Sequence, residues 1–170
     1  MSDRGPDATG PEAVEPGRNR SQEAFERGLA ALRRRERGTA ELAEWLTKRE
    51  FAAAEVGTAI ARLTEVGELD DRRFAERFAE DKRELRGWGP ERIREALAAR
   101  GIARELIDSA LRGDHHAEQL ARAETLLAKR GQPLTSDAER NRALAFLTRR
   151  GYDYELAYEA IRQHGRMEAA

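Results

Sequence analysis

A chain of 170 residues holds one domain or a short array of small ones, and its 31 basic and 32 acidic side chains leave a net charge of −1. That balance argues against a protein that grips naked nucleic acid alone, because phosphate neutralisation supplies most such affinity. The absence of cysteine excludes disulfides and thiolate metal sites, and no apolar run approaches the roughly 20 residues that cross a bilayer.

Residues 1–20 mix Gly5, Pro6, Gly10, Pro11, Pro16 and Gly17 with charged and small side chains. Such a stretch buries no face and is read as a disordered tail, with no hydrophobic signal segment. From Ser21 onward the pattern is helical. Phe25, Leu29 and Leu32 form the stripe of a first helix, at the i, i+4, i+7 spacing of one helical face. Gly38 breaks it, and Thr39 is a candidate N-cap for a second helix bearing Leu42, Trp45 and Leu46. A third helix carries Val56, Ile60 and Leu63 and stops near Gly67. Asp70 or Asp71 caps a fourth, with Phe74, Phe78 and Leu85 on its inner face. Pro90 suits the first turn of a fifth, where its missing N–H costs nothing; Ile93 and Leu97 face inward and Gly101 ends it. A sixth helix carries Leu106, Ile107 and Leu111, and a seventh Leu120, Leu126 and Leu127. Ser136 and Glu139 have capping-box spacing for an eighth, with Leu144 and Leu147 inside. Asp153 caps a ninth that carries Leu156 and Ile161. No strand is predicted.

These helices repeat in threes. Leu46, Leu97 and Leu147 are 51 and 50 positions apart, and each precedes a break: Arg49-Glu50-Phe51, Arg100-Gly101-Ile102 and Arg150-Gly151-Tyr152. The pairs Ala59-Ile60, Ala110-Leu111 and Ala160-Ile161 then recur in the same register. A period of about 50 residues marks stacked supersecondary units. The expected architecture is all-α and elongated, with three-helix repeats at 21–69, 70–113 and 114–166 and a short C-terminal tail at 167–170. Such an array engages extended partners and offers few deep pockets.

Catalytic and metal motifs are missing. His115 and His116 are adjacent, so on a helix they point about 100° apart and do not form a helical metal site. Neither a glycine-rich phosphate loop nor a nucleophile elbow occurs. The sequence therefore implies no cofactor, no metal and no enzymatic activity. Trp45, beside Leu46, reads as core; Trp88, in Gly87-Trp88-Gly89-Pro90, either staples the start of the fifth helix or meets a partner. Basic clusters recur at Arg33-Arg34-Arg35, Arg72-Arg73 with Arg77, Lys82-Arg83 with Arg86, Arg92 with Arg94, Lys129-Arg130 and Arg149-Arg150. Several lie at helix C-termini, where cations favour the dipole.

Four segments, in order, resemble the RecX family of bacterial regulators of the RecA recombinase. They are Ala40 to Phe51, Leu63 to Ala75 with its Asp70-Asp71, Gly87 to Ile102, and Phe146 to Tyr152. Glu50 departs from the family pattern, which commonly has glycine there. With no signal or membrane segment the cytoplasm is the expected location and a monomer the expected state; the resemblance covers about Ala31 to His164 and implies a protein that binds RecA filaments on single-stranded DNA. It implies lowered RecA ATPase activity and strand exchange, limited filament growth, a seat in the filament groove, and at most weak direct DNA binding. Arg72, Arg73, Arg77, Trp88, Arg92, Arg94, Arg149 and Arg150 are the candidate partner contacts, chosen as faces off the apolar stripes. The rival reading is an autonomous DNA-binding protein built from helix-turn-helix-like units.

Overall fold

Alternating apolar stripes and glycine breaks produce the helices they predict. A computed structural model describes residues 16–168, with side chains described for 19–166. The elements are α1 (Pro16–Arg34), α2 (Thr39–Thr47), α3 (Ala53–Glu65), α4 (Asp71–Arg86), α5 (Pro90–Ala98), α6 (Arg104–Leu111), α7 (His116–Arg130), α8 (Asp137–Arg149) and α9 (Tyr154–Glu168). No strand occurs among the described residues. The fold is all-α. α1 begins at Pro16, inside the stretch read as a tail, because Pro is tolerated in a first helical turn; residues 1–15 of that tail lie outside the described residues. At the other end α9 continues to Glu168, past the expected stop at 166, and residues 169–170 lie outside the described residues.

The extensive helix–helix contacts all fall within a trio, α1–α3, α4–α6 or α7–α9. Each trio has its own core. The first gathers Leu42, Leu46, Val56 and Leu63, the second Phe74, Ile93, Leu97 and Ile107, and the third Leu127, Leu147, Leu156 and Ile161. In α1 the buried stripe is Ala24, Gly28 and Ala31 rather than Phe25, Leu29 and Leu32, which are only partly buried beside it. Small residues let α1 lie close on α3: a Cβ at Gly28 would sit 2.9 Å from Leu63 Cδ1. Leu85 is also displaced from its expected inner face and is 76% exposed. It stands in the last turn of α4, where Arg83 faces α6 through a bond to the Ala110 carbonyl. Two residues further on, Leu85 points to the opposite side.

The caps explain how the trios begin. Asp70 caps α4, accepting from the Arg72 and Arg73 amides at 2.9 and 3.0 Å. Asp71 reaches across to the first trio and accepts from the Thr39 amide at 2.7 Å. Thr39 is therefore the first residue of α2 and Gly38 its N-cap. The adjacent carboxylates thus serve two helices in different repeats. At α8, Ser136 Oγ accepts from the Glu139 amide at 3.3 Å, and Glu139 Oε2 accepts from the Ser136 amide at 2.8 Å and the Thr135 hydroxyl at 2.9 Å. The Ser136 amide, with the Thr135 hydroxyl next, holds the Glu139 carboxyl down at about 2, against an ordinary 4.5. Its stabilising contribution is complete above the ordinary value and fades as pH falls from 4.5 toward about 2. The side-chain carboxyl resonance of Glu139 should titrate with a midpoint near about 2; a midpoint at the ordinary carboxylate value would mean the box does not close in solution.

Neighbouring trios dock through a repeated joint. The N-cap of the second helix in one repeat (Gly38, Gly89) meets the left-handed break of the next (Gly101, φ 75; Gly151, φ 89). A Cβ on Gly89 would lie 2.4 Å from the Gly151 carbonyl oxygen, and one on Gly101 would lie 2.6 Å from Ala40 Cβ. The joint between the second and third repeats adds main-chain bonds, Gly89 N to Arg150 O at 2.8 Å and Glu91 N to Gly151 O at 3.1 Å. Beneath it lies Asp114, its side chain 1% exposed, paired with Arg122 and 3.4 Å from Arg83 Nε. A buried carboxylate is tolerable only with such partners.

Candidate functional site

Where α4 ends and α5 begins, the joint with α8 opens a groove of about 650 Å3, lined by Lys82, Leu85, Arg86, Trp88, Arg92, Phe146, Arg149 and Arg150. Five of the eight side chains are cationic, two are aromatic and none is acidic. Each element contributes for a local reason. The α4 C-terminus brings Lys82 and Arg86, which complement the dipole there, and Gly87 in the left-handed region (φ 59) turns the chain so that Trp88 projects beside them. Pro90 starts α5, whose first turn supplies Arg92. The α8 end supplies Phe146, Arg149 and Arg150, and the αL Gly151 swings the chain against α5.

The aromatic rings are dressed with the protein's own cations. Arg92 lies 4.3 Å and Lys82 5.6 Å from the Trp88 ring centre. Arg150 lies 4.7 Å and Arg130 4.9 Å from that of Phe146. Trp88 also meets Phe78 edge-on at 6.5 Å, so it is at once a staple for α5 and a wall of the groove. Arg92 Nη1 donates to the Arg149 carbonyl at 3.0 Å, and Arg150 donates to the Arg86 carbonyl. A guanidinium has five N–H donors, so both arginines keep donors for a ligand while these bonds fix their position. Tyr152 closes the floor, its hydroxyl donating to the Gly87 carbonyl at 3.3 Å. Burial, ahead of every other influence, pushes that phenol up, which keeps it a neutral donor. Guanidiniums gathered in this way can take up phosphates or carboxylates bidentately.

The same joint one repeat earlier serves as an internal control. There Arg37 stands for Trp88, Glu41 for Arg92, Ala96 for Phe146 and Ala99 for Arg149, while Arg35 and Arg100 keep the cations of Arg86 and Arg150. The glycine joint recurs, but neither aromatic ring and none of the cations Lys82, Arg92 and Arg149 has a like counterpart there. What sets the later joint apart is its pair of aromatic rings set among cations.

Of the sequence candidates, Trp88, Arg92, Arg149 and Arg150 come together in this groove. The other four lie elsewhere. Arg72 reaches Ser109 Oγ at 3.3 Å, and Arg73 donates to the Gly67 carbonyl at 2.8 Å, closing the end of α3. Arg77 pairs with Glu36 across the first joint, and Arg94 pairs with Asp108. Sequence reasoning missed Lys82, Arg86 and Phe146 as site residues. The first two are visible as a basic cluster and the third as part of the last family-like segment, but their convergence depends on how two repeats stack. Among the described residues no group of three or more His, Asp or Glu side chains could hold a metal, and no helix is long and apolar enough to cross a membrane.

Comparison with known proteins places this architecture. The model of the RecX first three-helix domain matches residues 24–63, and that of the RecX second three-helix domain matches residues 70–111. A protein named Regulatory protein RecX from Mycolicibacterium vanbaalenii is 32% identical over 165 residues, covering 92% of this chain and 90% of its own. The chain belongs to the RecX family. A second Regulatory protein RecX, from Ectopseudomonas mendocina, is 41% identical over 77% of this chain and 87% of its own. The crystal structure of RecX from Lactobacillus salivarius superposes with a TM-score of 0.78 at 19% identity, covering 86% of this chain and 97% of that one, and so shares the fold. The relatives are named as regulatory proteins.

Proposed function

We propose that this RecX-family protein is a cytoplasmic, monomeric regulator that binds RecA filaments on single-stranded DNA, lying in the filament groove. In doing so it lowers ATP hydrolysis and strand exchange and limits filament growth. The repeats at 21–69, 70–113 and 114–166 act as its modules, and the groove between the second and third meets the strand. One observation carries this reading: on a chain with net charge −1, five cations and two aromatics gather in a single groove without a carboxylate. A near-neutral molecule with one concentrated cationic seam suits a partner that is itself a protein–nucleic acid complex, because the surrounding mixed charges meet protein while the seam meets phosphate.

The test is RecA-catalysed ATP hydrolysis on single-stranded DNA with rising amounts of this protein, beside gel shifts of bare duplex at two salt concentrations. Hydrolysis should fall, and bare duplex should bind only in the range of about 10⁻⁶ M or weaker typical of non-specific contacts. Unchanged hydrolysis together with nanomolar duplex binding would instead establish the autonomous DNA-binding protein.

A further inference from the structure

Leu85 is the most exposed of the large hydrophobic side chains among the described residues, at 76%, and it stands in the groove lining with Lys82, Arg86, Trp88 and Arg92. Single exposed leucines are ordinary on protein surfaces. A leucine set among phosphate-binding cations is different: it adds nothing to an anion contact, yet it sits where a ligand must pass. The ligand that rewards this arrangement alternates charge with flat apolar faces, as single-stranded nucleic acid does. Trp88 and Phe146 are the obvious stacking platforms, but both rings already carry cations of this chain, Arg92 at 4.3 Å and Arg150 at 4.7 Å from the ring centres. Leu85 is the uncovered apolar group.

We propose that Leu85 is a wedge that enters between two consecutive bases of a single strand whose phosphates lie on Arg86, Arg92 and Arg149. Apolar side chains inserted at base steps unstack them, and the cost is met by contacts to the flanking backbone. Arg86 and Arg149 are exposed and able to supply those contacts; main-chain bonds of the joint tie the start of α5 to the end of α8, and the Arg150 guanidinium ties that end to the Arg86 carbonyl of α4. The wedge makes the groove selective for strands whose bases are free to part. Duplex, with its paired and stacked steps, resists it.

This inference rests on the reading that the groove meets the DNA strand, and the experiment separates the two. The full chain is titrated into a single-stranded oligonucleotide carrying one 2-aminopurine, whose fluorescence rises when it unstacks. Binding is followed in parallel by anisotropy of an end label. The unaltered protein should bind with a rise in base fluorescence. Leu85→Ala should bind within about fivefold of the same affinity, with the same salt dependence, while the rise falls at least about threefold. Leu85→Met, still apolar and of similar length, should restore it. A Leu85→Ala protein with the full rise overturns the wedge and leaves the groove intact as the strand site. Arg86→Glu/Arg149→Glu with unchanged anisotropy binding removes the strand from the groove, and the wedge with it. Binding of poly-glutamate in place of the oligonucleotide, lost in the same double variant, would assign the groove to an acidic protein segment and likewise overturn the wedge.

Discussion

Gly151→Ala should lower the stability of the protein by about 3 kcal/mol and loosen the third repeat from the second. Two independent effects add. The position has φ 89, where a Cβ is strained against its own chain. The new carbon would also lie 2.3 Å from the Arg92 amide nitrogen and 2.5 Å from Arg92 Cβ, and main-chain atoms do not swing aside as a side-chain tip does. Urea unfolding should show a lower midpoint and a shallower or split transition, because repeats that no longer dock unfold separately. Gly131→Ala is the control. That glycine also has a positive φ (61) but nothing within 4 Å of its would-be Cβ, so only the backbone strain of about 1 kcal/mol remains. Glu50→Gly runs the other way. Glu50 is the single non-glycine residue with positive φ (64) among the described residues, and relieving it should gain about 1 kcal/mol. Equal losses for Gly131→Ala and Gly151→Ala would mean that the close approach of the repeats contributes nothing.

Arg86→Glu/Arg149→Glu should raise the concentration needed to half-inhibit RecA ATP hydrolysis at least about tenfold, with the thermal midpoint unchanged. Both side chains are exposed, and it is their carbonyls, not their guanidiniums, that the joint uses. The substitution therefore removes two cations and adds two anions in the groove without touching its frame. If each arginine neutralises one phosphate, the slope of log affinity against log salt should shrink by about 1.4 for single-stranded DNA. Arg72→Glu, whose guanidinium reaches Ser109 far from the groove, should leave that slope alone. Inhibition that survives the double reversal but fails with Arg72→Glu would move the contact to the first joint.

The helices and the repeat are legible in the sequence because they depend on local periodicity. Leu46, Leu97 and Leu147, with the breaks after them, mark three units by spacing alone. What escapes depends on three dimensions. The helical wheel sends Leu85 inward with Phe74, but in the last turn of α4 it is Arg83 that faces α6, and Leu85 stays exposed. In α1 the bulky side chains are Phe25, Leu29 and Leu32, whereas the closest packing falls to Ala24, Gly28 and Ala31, too small to stand out as a hydrophobic stripe. Asp71 looks like an alternative cap for α4, and its bond to Thr39 in another repeat has no sequence signal at all. Half of the groove is legible in its basic and aromatic letters. Lys82 and Arg86 escape because a cation at a helix end already has a sufficient explanation.

The glycine joint also sets the inner docking faces apart from the outer ones. Interior docking faces carry no side chain, at Gly38 and Gly89 on one side and Gly101 and Gly151 on the other. At the corresponding outer positions the first repeat has Glu50 and the third has Ser136, the latter locked into its own capping box. A sister molecule offered either outer face would meet a carboxylate or an occupied hydroxyl in place of bare backbone. Among the described residues, the bare-glycine approach is thus found at the two inner joints.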